Sequence, residues 1–156
     1  MNYLLNLLLA VLMLIVFFIP GLVISLMIKL TSKGTIIYFS KRIGRDKEIF
    51  MMPKFRTMQS ETPQVATHLL ENPEKYLTSI GSLLRKYSLD EIPQILSVIK
   101  GDMNIVGPRP ALFNQQDLVE LRELYNINTI KPGITGWAQV NGRDELSIEQ
   151  KVKFEV

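Results

Sequence analysis

The stretch Ser88-Leu89-Asp90-Glu91-Ile92-Pro93-Gln94 sets two adjacent carboxylates at the head of an apolar-periodic run. Ile92, Ile95, Leu96 and Ile99 recur behind it at helical spacing, and Lys100-Gly101 supplies a stop. The spacing predicts a helix opening at Ser88, and Ser88 with Glu91 three residues on matches a capping box. Acidic residues in a first turn also suit the helix dipole. That accounts for the serine and the glutamate, but not for Asp90. Asp90 shares a stripe with Gln94 and Ser97, opposite much of the apolar face. Neighbouring helical side chains diverge by about 100°, so one carboxylate can attack while the other holds a cation. A helix N-terminus also attracts phosphate.

Working outward, composition narrows the chemistry. The chain has 156 residues, enough for one domain with a core. Its first 28 residues carry no charge, while the rest is moderately basic, at 18 Lys+Arg against 15 Asp+Glu. A net charge of +3 is too small to argue for nucleic acid and suits anionic lipid or phosphorylated substrates. There is no cysteine, which removes disulfides, thiolate catalysis and cysteine-based metal centres. The lone histidine, His68, reads as a solvated surface residue. Any metal is then held mainly by oxygen, which favours magnesium or a similar hard cation.

Residues 3–28 are almost unbroken Leu, Val, Ile, Phe and Met, interrupted at Asn6, Ala10, Pro20, Gly21 and Ser25. The run exceeds the roughly 20 residues of a spanning helix, and neither a preceding basic patch nor a small-residue cleavage site marks it as a signal peptide. Lys29, Lys33, Lys41 and Arg42 flank it on the C-terminal side, which puts the following body in the cytoplasm. Pro20 predicts a kink or a break. Two topologies follow: a kinked single span, or a re-entrant helix that enters one leaflet and returns. On base rates alone the kinked span leads.

Residues 35–39 and 49–58 read as two strands of a hairpin around the turn Gly44-Arg45-Asp46-Lys47, with Pro53 marking an edge or bulge. Within it Lys54 and Arg56 share one face and Phe55 the other, an arrangement that suits a pyrophosphate or a plain solvated face. Residues 61–73 read as a loop with one short helix, and residues 74–86 as a helix on Leu77, Ile80 and Leu84, closed by Arg85-Lys86. A further helix is expected over residues 112–125, with Leu118, Leu121 and Tyr125 on one side. Such amphipathic helices pack on the core or lie along a bilayer. Lys131-Pro132-Gly133 and Asn141-Gly142-Arg143 are turns on either side of the only tryptophan, Trp137, and Ser147 opens a last short helix. Trp137 reads as core, as an interfacial anchor, or as a stacking face for a base or sugar. In Gly107-Pro108-Arg109-Pro110 the two prolines bias Arg109 toward an extended backbone and present its guanidinium, a bidentate phosphate partner, at low entropic cost.

Taken in order, Lys54-Phe55-Arg56-Thr57-Met58, Ser88 to Gln94, Lys100-Gly101-Asp102-Met103, Val106 to Pro110, and Lys131-Pro132-Gly133-Ile134-Thr135-Gly136-Trp137-Ala138-Gln139-Val140-Asn141-Gly142-Arg143 resemble the bacterial sugar transferase family, the monotopic phosphoglycosyl transferases. The resemblance covers essentially the whole chain. It implies transfer of a sugar-1-phosphate from a UDP-sugar to a polyprenol (undecaprenyl) phosphate with release of UMP, the first membrane step of capsule, O-antigen, exopolysaccharide or glycoprotein-glycan synthesis. It implies Asp90 as nucleophile through a covalent phosphosugar–aspartate, and Glu91 as the magnesium ligand. Lys54, Arg56, Arg85, Arg109 and Arg143 become contacts for phosphate, nucleotide or lipid phosphate.

The fold it implies is α+β, mainly helical, with a short hairpin, amphipathic surface helices and an N-terminal re-entrant helix broken near Pro20. That reverses the topological preference stated above. Residues 1–30 form the membrane part and residues 31–156 a catalytic domain on the cytoplasmic face of the bacterial inner membrane, with no nucleic-acid partner. Three features depart from the family pattern. No basic stretch precedes the apolar run, Ile19 rather than Ser precedes Pro20, and members continue well past the position of Val156. The chain is thus read as C-terminally truncated. Two alternatives stay open: a polyprenol-linked glycosyltransferase that releases UDP, and a truncated, inactive membrane-anchored scaffold or complex partner.

Overall fold

A computed structural model describes residues 2–59, 61–63, 72–142 and 145–156. His68 and Arg143 lie outside the described residues, as does most of the loop expected over residues 61–73.

Helix α1 (Tyr3–Thr31) takes up the whole apolar run, with Asn2 as its N-cap. Its length and apolarity suffice to cross a membrane. The interruption expected near Pro20 does not divide it; the helix runs through with Pro20 inside. A proline withdraws one donor from the ladder, and the flanking turns keep theirs. Ser25 Oγ also donates to the Gly21 carbonyl at 2.7 Å.

One stripe of α1 is packed against the rest of the chain. Ala10, Met13 and Phe17 join Phe50, Met52, Ile95, Val98 and Met103 in one apolar cluster, and Ile24 and Ile28 join Phe55 and Leu84 in another. The remaining faces of α1 expose leucine, valine, isoleucine and phenylalanine. Residue 30 therefore marks a change of composition, while the packing is continuous across it.

Both ends of α1 are also tied down by hydrogen bonds. Asn6 is buried, and its Oδ1 accepts from the Ile105 backbone N–H at 2.9 Å. Arg56 donates from Nη2 to Ser32 Oγ at 2.7 Å and to the Ser32 carbonyl at 3.1 Å, and from Nη1 to the Lys33 carbonyl. Asn6→Leu keeps the volume of the site and leaves the Ile105 N–H without its acceptor, a loss of about 1–3 kcal/mol for a buried donor. The expected result is faster hydrogen exchange at the Ile105 amide with α1 still helical.

Strands β1 (Ile37–Ile43) and β2 (Ile49–Phe55) form the antiparallel hairpin, with Tyr38 opposite Lys54 and Ile43 opposite Ile49. The first strand starts and ends later than residues 35–39 suggested, and the second stops at Phe55. The helix expected over residues 74–86 splits. A 3-10 turn, Pro73–Tyr76, is followed by a bridge between Leu77 and Met58 and a bond from Thr78 N to the Thr57 carbonyl, and only then by α2 (Gly81–Lys86). The end of the hairpin captures the backbone that would have continued the helix.

The helix expected from Ser88 divides too. Leu89–Gln94 is a 3-10 turn that passes into α3 (Ile95–Lys100), ended by Gly101 at φ +94°. Pro93 has no N–H for an α-type bond and crowds the preceding turn, so the tighter winding is preferred there. Ser88 sits left-handed at φ +54° and makes no capping bond, so the expected capping box is absent. A capping box does form at Ser147 and Gln150, opening α6 (Ile148–Glu155).

Helix α4 spans Gln116–Glu123, shorter than residues 112–125, because Ala111 and Leu112 pair with β1 instead. Leu118 faces the core there, whereas Tyr125 is exposed, as is Leu96 in α3. Strands β3 (Asn104–Val106) and β4 (Gly133–Thr135) form a short parallel pair, with Asn104 opposite Gly133 and Val106 opposite Thr135. Helix α5 (Trp137–Val140) follows, and Trp137 is 66% exposed, which removes the core reading of that residue.

Candidate active site

Asp90 and Glu91 leave the 3-10 turn beside β2, and both are buried. The two carboxylates meet different surroundings. Glu91 Oε1 accepts from Lys54 Nζ at 3.1 Å and from Arg109 Nη2 at 3.0 Å. Lys54 comes from β2, and Arg109 from the loop that follows β3. For Asp90, among the described residues, no side-chain donor lies within hydrogen-bonding distance. Arg85, on α2, lies close enough to act on Asp90 by charge, and its Nε donates to Thr57 Oγ1 at 3.0 Å.

These surroundings drive the two carboxylates apart. Burial pushes the Asp90 carboxyl up from its usual range, the Glu91 charge adds to that, and Lys54 and Arg85 only partly oppose it. Burial also acts to raise Glu91, but the charges and hydrogen bonds of Lys54 and Arg109 overcome it and hold the group at about 2. Below an unfolded value of 4.5, stability drawn from the Glu91 pairing fades as pH falls toward about 2. Lys54 is brought down to about 8 by burial, helped by Arg109 and Arg42 and resisted chiefly by Glu91. The folded state thus sheds this proton first, and stability rises with pH between about 8 and 10.5. A Lys54 midpoint near 8 is expected in an NMR titration of its side chain, and Glu91→Gln should move it lower still, because the opposing charge is gone.

The loop carrying Arg109 is set by close backbone contact. Gly107 N donates to the Thr135 carbonyl at 2.9 Å, and Gly133 N donates to the Pro108 carbonyl at 2.9 Å. A Cβ on Gly133 would stand 2.1 Å from Gly107 N, and one on Gly136 2.2 Å from the Gly107 carbonyl oxygen. The glycines of Lys131-Pro132-Gly133-Ile134-Thr135-Gly136 are therefore needed for this approach, which turn reasoning had explained only at Gly133.

Of the residues singled out from the sequence, Lys54, Asp90, Glu91 and Arg109 converge, with Arg85 beside Asp90. Arg56 instead holds the end of α1 through the bonds given above. Arg143 falls outside the described residues. Sequence reasoning missed Asn6 as a tie between α1 and β3, although a polar residue in an apolar helix is itself a signal. Arg42, read as membrane flank, donates to the Pro110 carbonyl at 3.0 Å and braces the arginine loop.

The donor set offered to a metal is oxygen alone. Two adjacent carboxylates suit a hard cation whose other ligands are phosphate oxygens and water. Among the described residues no cluster of three or more acidic or imidazole ligands forms a protein-only cage.

A family profile described as bacterial sugar transferase matches residues 1–156. An uncharacterized sugar transferase, EpsL, of Bacillus subtilis (strain 168) is 42% identical over 124 residues, 79% of this chain and 60% of that protein. The exopolysaccharide production protein ExoY of Rhizobium meliloti (strain 1021) is 33% identical over 149 residues, 86% of this chain and 66% of its own. The UDP-glucose:undecaprenyl-phosphate glucose-1-phosphate transferase of Escherichia coli (strain K12) is 40% identical over 141 residues, 85% of this chain and 30% of its own. The chain thus spans less than two thirds of the length of these curated relatives.

Proposed function

The chain belongs to the bacterial sugar transferase family, and from that premise we propose that it moves a sugar-1-phosphate from a UDP-sugar to a polyprenol phosphate at a membrane surface, releasing UMP. The observation that carries the reading is the divergence of two neighbouring carboxylates. Glu91 is neutralised by two cations, while Asp90 keeps a raised basicity and, among the described residues, no direct cation bond. Environments that split a carboxylate pair in this way separate their roles. Asp90 suits the nucleophile, and Glu91 the group that organises charge. The names of relatives such as the Escherichia coli glucose-1-phosphate transferase support the acceptor and donor classes.

In the first displacement an Asp90 carboxylate oxygen forms a bond to the sugar-linked phosphorus. The bond from that phosphorus to the bridging oxygen breaks, and the electron pair leaves with UMP. In the second, a phosphate oxygen of the polyprenol phosphate attacks the same phosphorus and Asp90 leaves as carboxylate, giving a polyprenyl diphosphate sugar. Neither step needs a proton donor, which fits a site without a described histidine. Splitting one difficult transfer into two displacements is the general advantage of a carboxylate nucleophile.

Lys54 and Arg109, both held at Glu91 Oε1, offset phosphate charge beside it. A magnesium ion, held by Glu91 together with the substrate, would supply further neutralisation of the diphosphate. The test is product identity. Incubation with UDP-sugars, polyprenol phosphate and magnesium should release UMP, and mass spectrometry without the acceptor should find a phosphosugar adduct on Asp90. Release of UDP, or turnover with no adduct, would overturn the reading.

For α1, which runs undivided through Pro20 and so does not enter a leaflet and turn back, we propose that it lies along the bilayer surface with both ends on the cytoplasmic face. The packed stripe from Asn6 to Ile28 supports it, because the body lies alongside the helix through most of its length. The chain has no native cysteine, so single cysteines at Tyr3 and Lys33 are expected to be labelled from the same side of sealed vesicles. Labelling from opposite sides would establish a span.

A further inference from the structure

Gly107-Pro108-Arg109-Pro110 contains two prolines and so has few backbone donors of its own. Its orientation must come from outside, and three successive carbonyls are each held by a different element. Gly133 N in β4 donates to Pro108 at 2.9 Å, Arg122 Nη2 in α4 to Arg109 at 2.9 Å, and Arg42 Nη1 in β1 to Pro110 at 3.0 Å. Arg122 is in turn clasped by Glu155 of α6, with Nε to Oε2 at 2.8 Å and Nη2 to Oε1 at 2.5 Å. The two side chains are only 6% and 4% exposed.

A buried pair of this kind gains little over apolar side chains of the same volume. Its distinctive product is direction: a planar guanidinium fixed along one edge by a carboxylate aims its remaining donors without freedom to swing. Here one of those donors meets the carbonyl of the residue whose own guanidinium bonds Glu91.

We propose that Arg122, oriented by Glu155, is a positioning residue that holds Arg109 toward the phosphate-binding side of the site. The inference rests on the proposed function for the role of Arg109, and extends the site to two residues that never touch substrate. Glu155 and Arg122 thereby make α6 and α4 part of the apparatus that aims a cation some distance away. Neither residue belongs to the ordered motifs of the sequence.

A double-mutant cycle with Arg109→Ala tests it. Arg122→Met with Glu155→Leu fills the same space without a buried charge and should fold with a melting temperature near wild type. Its kcat/KM should fall roughly 10- to 100-fold, as displacement of a positioned group does, with most of the loss in kcat. In the Arg109→Ala background the same pair should cost nothing further. Should the apolar pair not fold, Arg122→Lys keeps the charge and enters the same cycle.

Affinity for UDP in magnesium, read by calorimetry, repeats the cycle without relying on turnover. Failure of the wild type to release UMP would thus count against the function, while coupling to Arg109 could still be read. Unchanged kcat/KM and UDP affinity in the variant, or an equal loss with and without Arg109, would overturn the proposal.

Discussion

Asp90→Asn is expected to reduce UMP release by on the order of 10³-fold or more and to abolish the covalent adduct, while leaving the protein folded. An amide has almost the shape of the carboxylate but cannot serve as its nucleophile, and losing a covalent catalyst leaves only positioning and charge to act on the substrate. The accompanying stability change has a definite sign. Burial raises the Asp90 pKa in the folded state, so folding favours the protonated form. As pH rises from the unfolded value through the raised one, stability is lost, and the deficit persists at neutral pH. Asparagine carries no charge to bury, so its melting temperature at pH 7 should equal or exceed that of wild type. Activity and stability move in opposite directions, as is common where a site holds a strained group. A variant that retains substantial UMP release would displace Asp90 from its assigned role.

Gly133→Ala is expected to be strongly destabilising. The added Cβ would lie 2.1 Å from Gly107 N and 2.6 Å from the Thr135 carbonyl oxygen. Both are backbone atoms, so no side-chain rotation relieves the overlap, and β3 and β4 must separate. That movement breaks the bonds from Gly107 N to Thr135 and from Gly133 N to Pro108, and carries the Arg109 loop with it. A loss of about 3 kcal/mol is reasonable for overpacking against fixed neighbours. In a chain of this size it lowers the melting temperature by roughly 6–12 °C. Gly21→Ala is the control. Its Cβ meets only Phe55 Cζ at 3.9 Å, and alanine is the better helix former, so the thermal midpoint should hold or rise.

What could be read directly from residues was whatever depended on neighbours in the chain. The apolar helix, the hairpin with its turn at Gly44, the stop at Gly101 and the last helix opening at Ser147 follow local rules, and all are present. Of the site, the residue types were legible: Lys54 and Arg109 meet at Glu91, with Asp90 within reach of the Lys54 charge. Partners far apart in sequence were not. The capping box at Ser88 satisfied a local pattern, yet Glu91 is drawn instead to Lys54, 37 residues away, and Pro93 tightens the turn. Lys54 and Arg56 share a face in an ideal strand, but Arg56 lies just past the end of β2 and bonds the end of α1. The parallel pair β3–β4 has three residues in each strand and no alternating pattern of useful length. Arg122 and Glu155 are 33 positions apart, and nothing in either local sequence announces the other.

The stitching of α1 has a practical corollary. Asn6 holds β3, the strand that leads to Arg109, and Arg56 holds the other end of the helix from the strand that bears Lys54. Between them Ala10, Ile24 and Ile28 are interior residues of the protein. Trimming the first 31 residues to obtain a water-soluble protein would therefore open two apolar clusters and release the ties to β3 and to the end of β2. The hydrophobic helix is thus an integral part of the packed body that carries the candidate site. Preparations of this protein must carry it, and with it the detergent or lipid that its outer face demands.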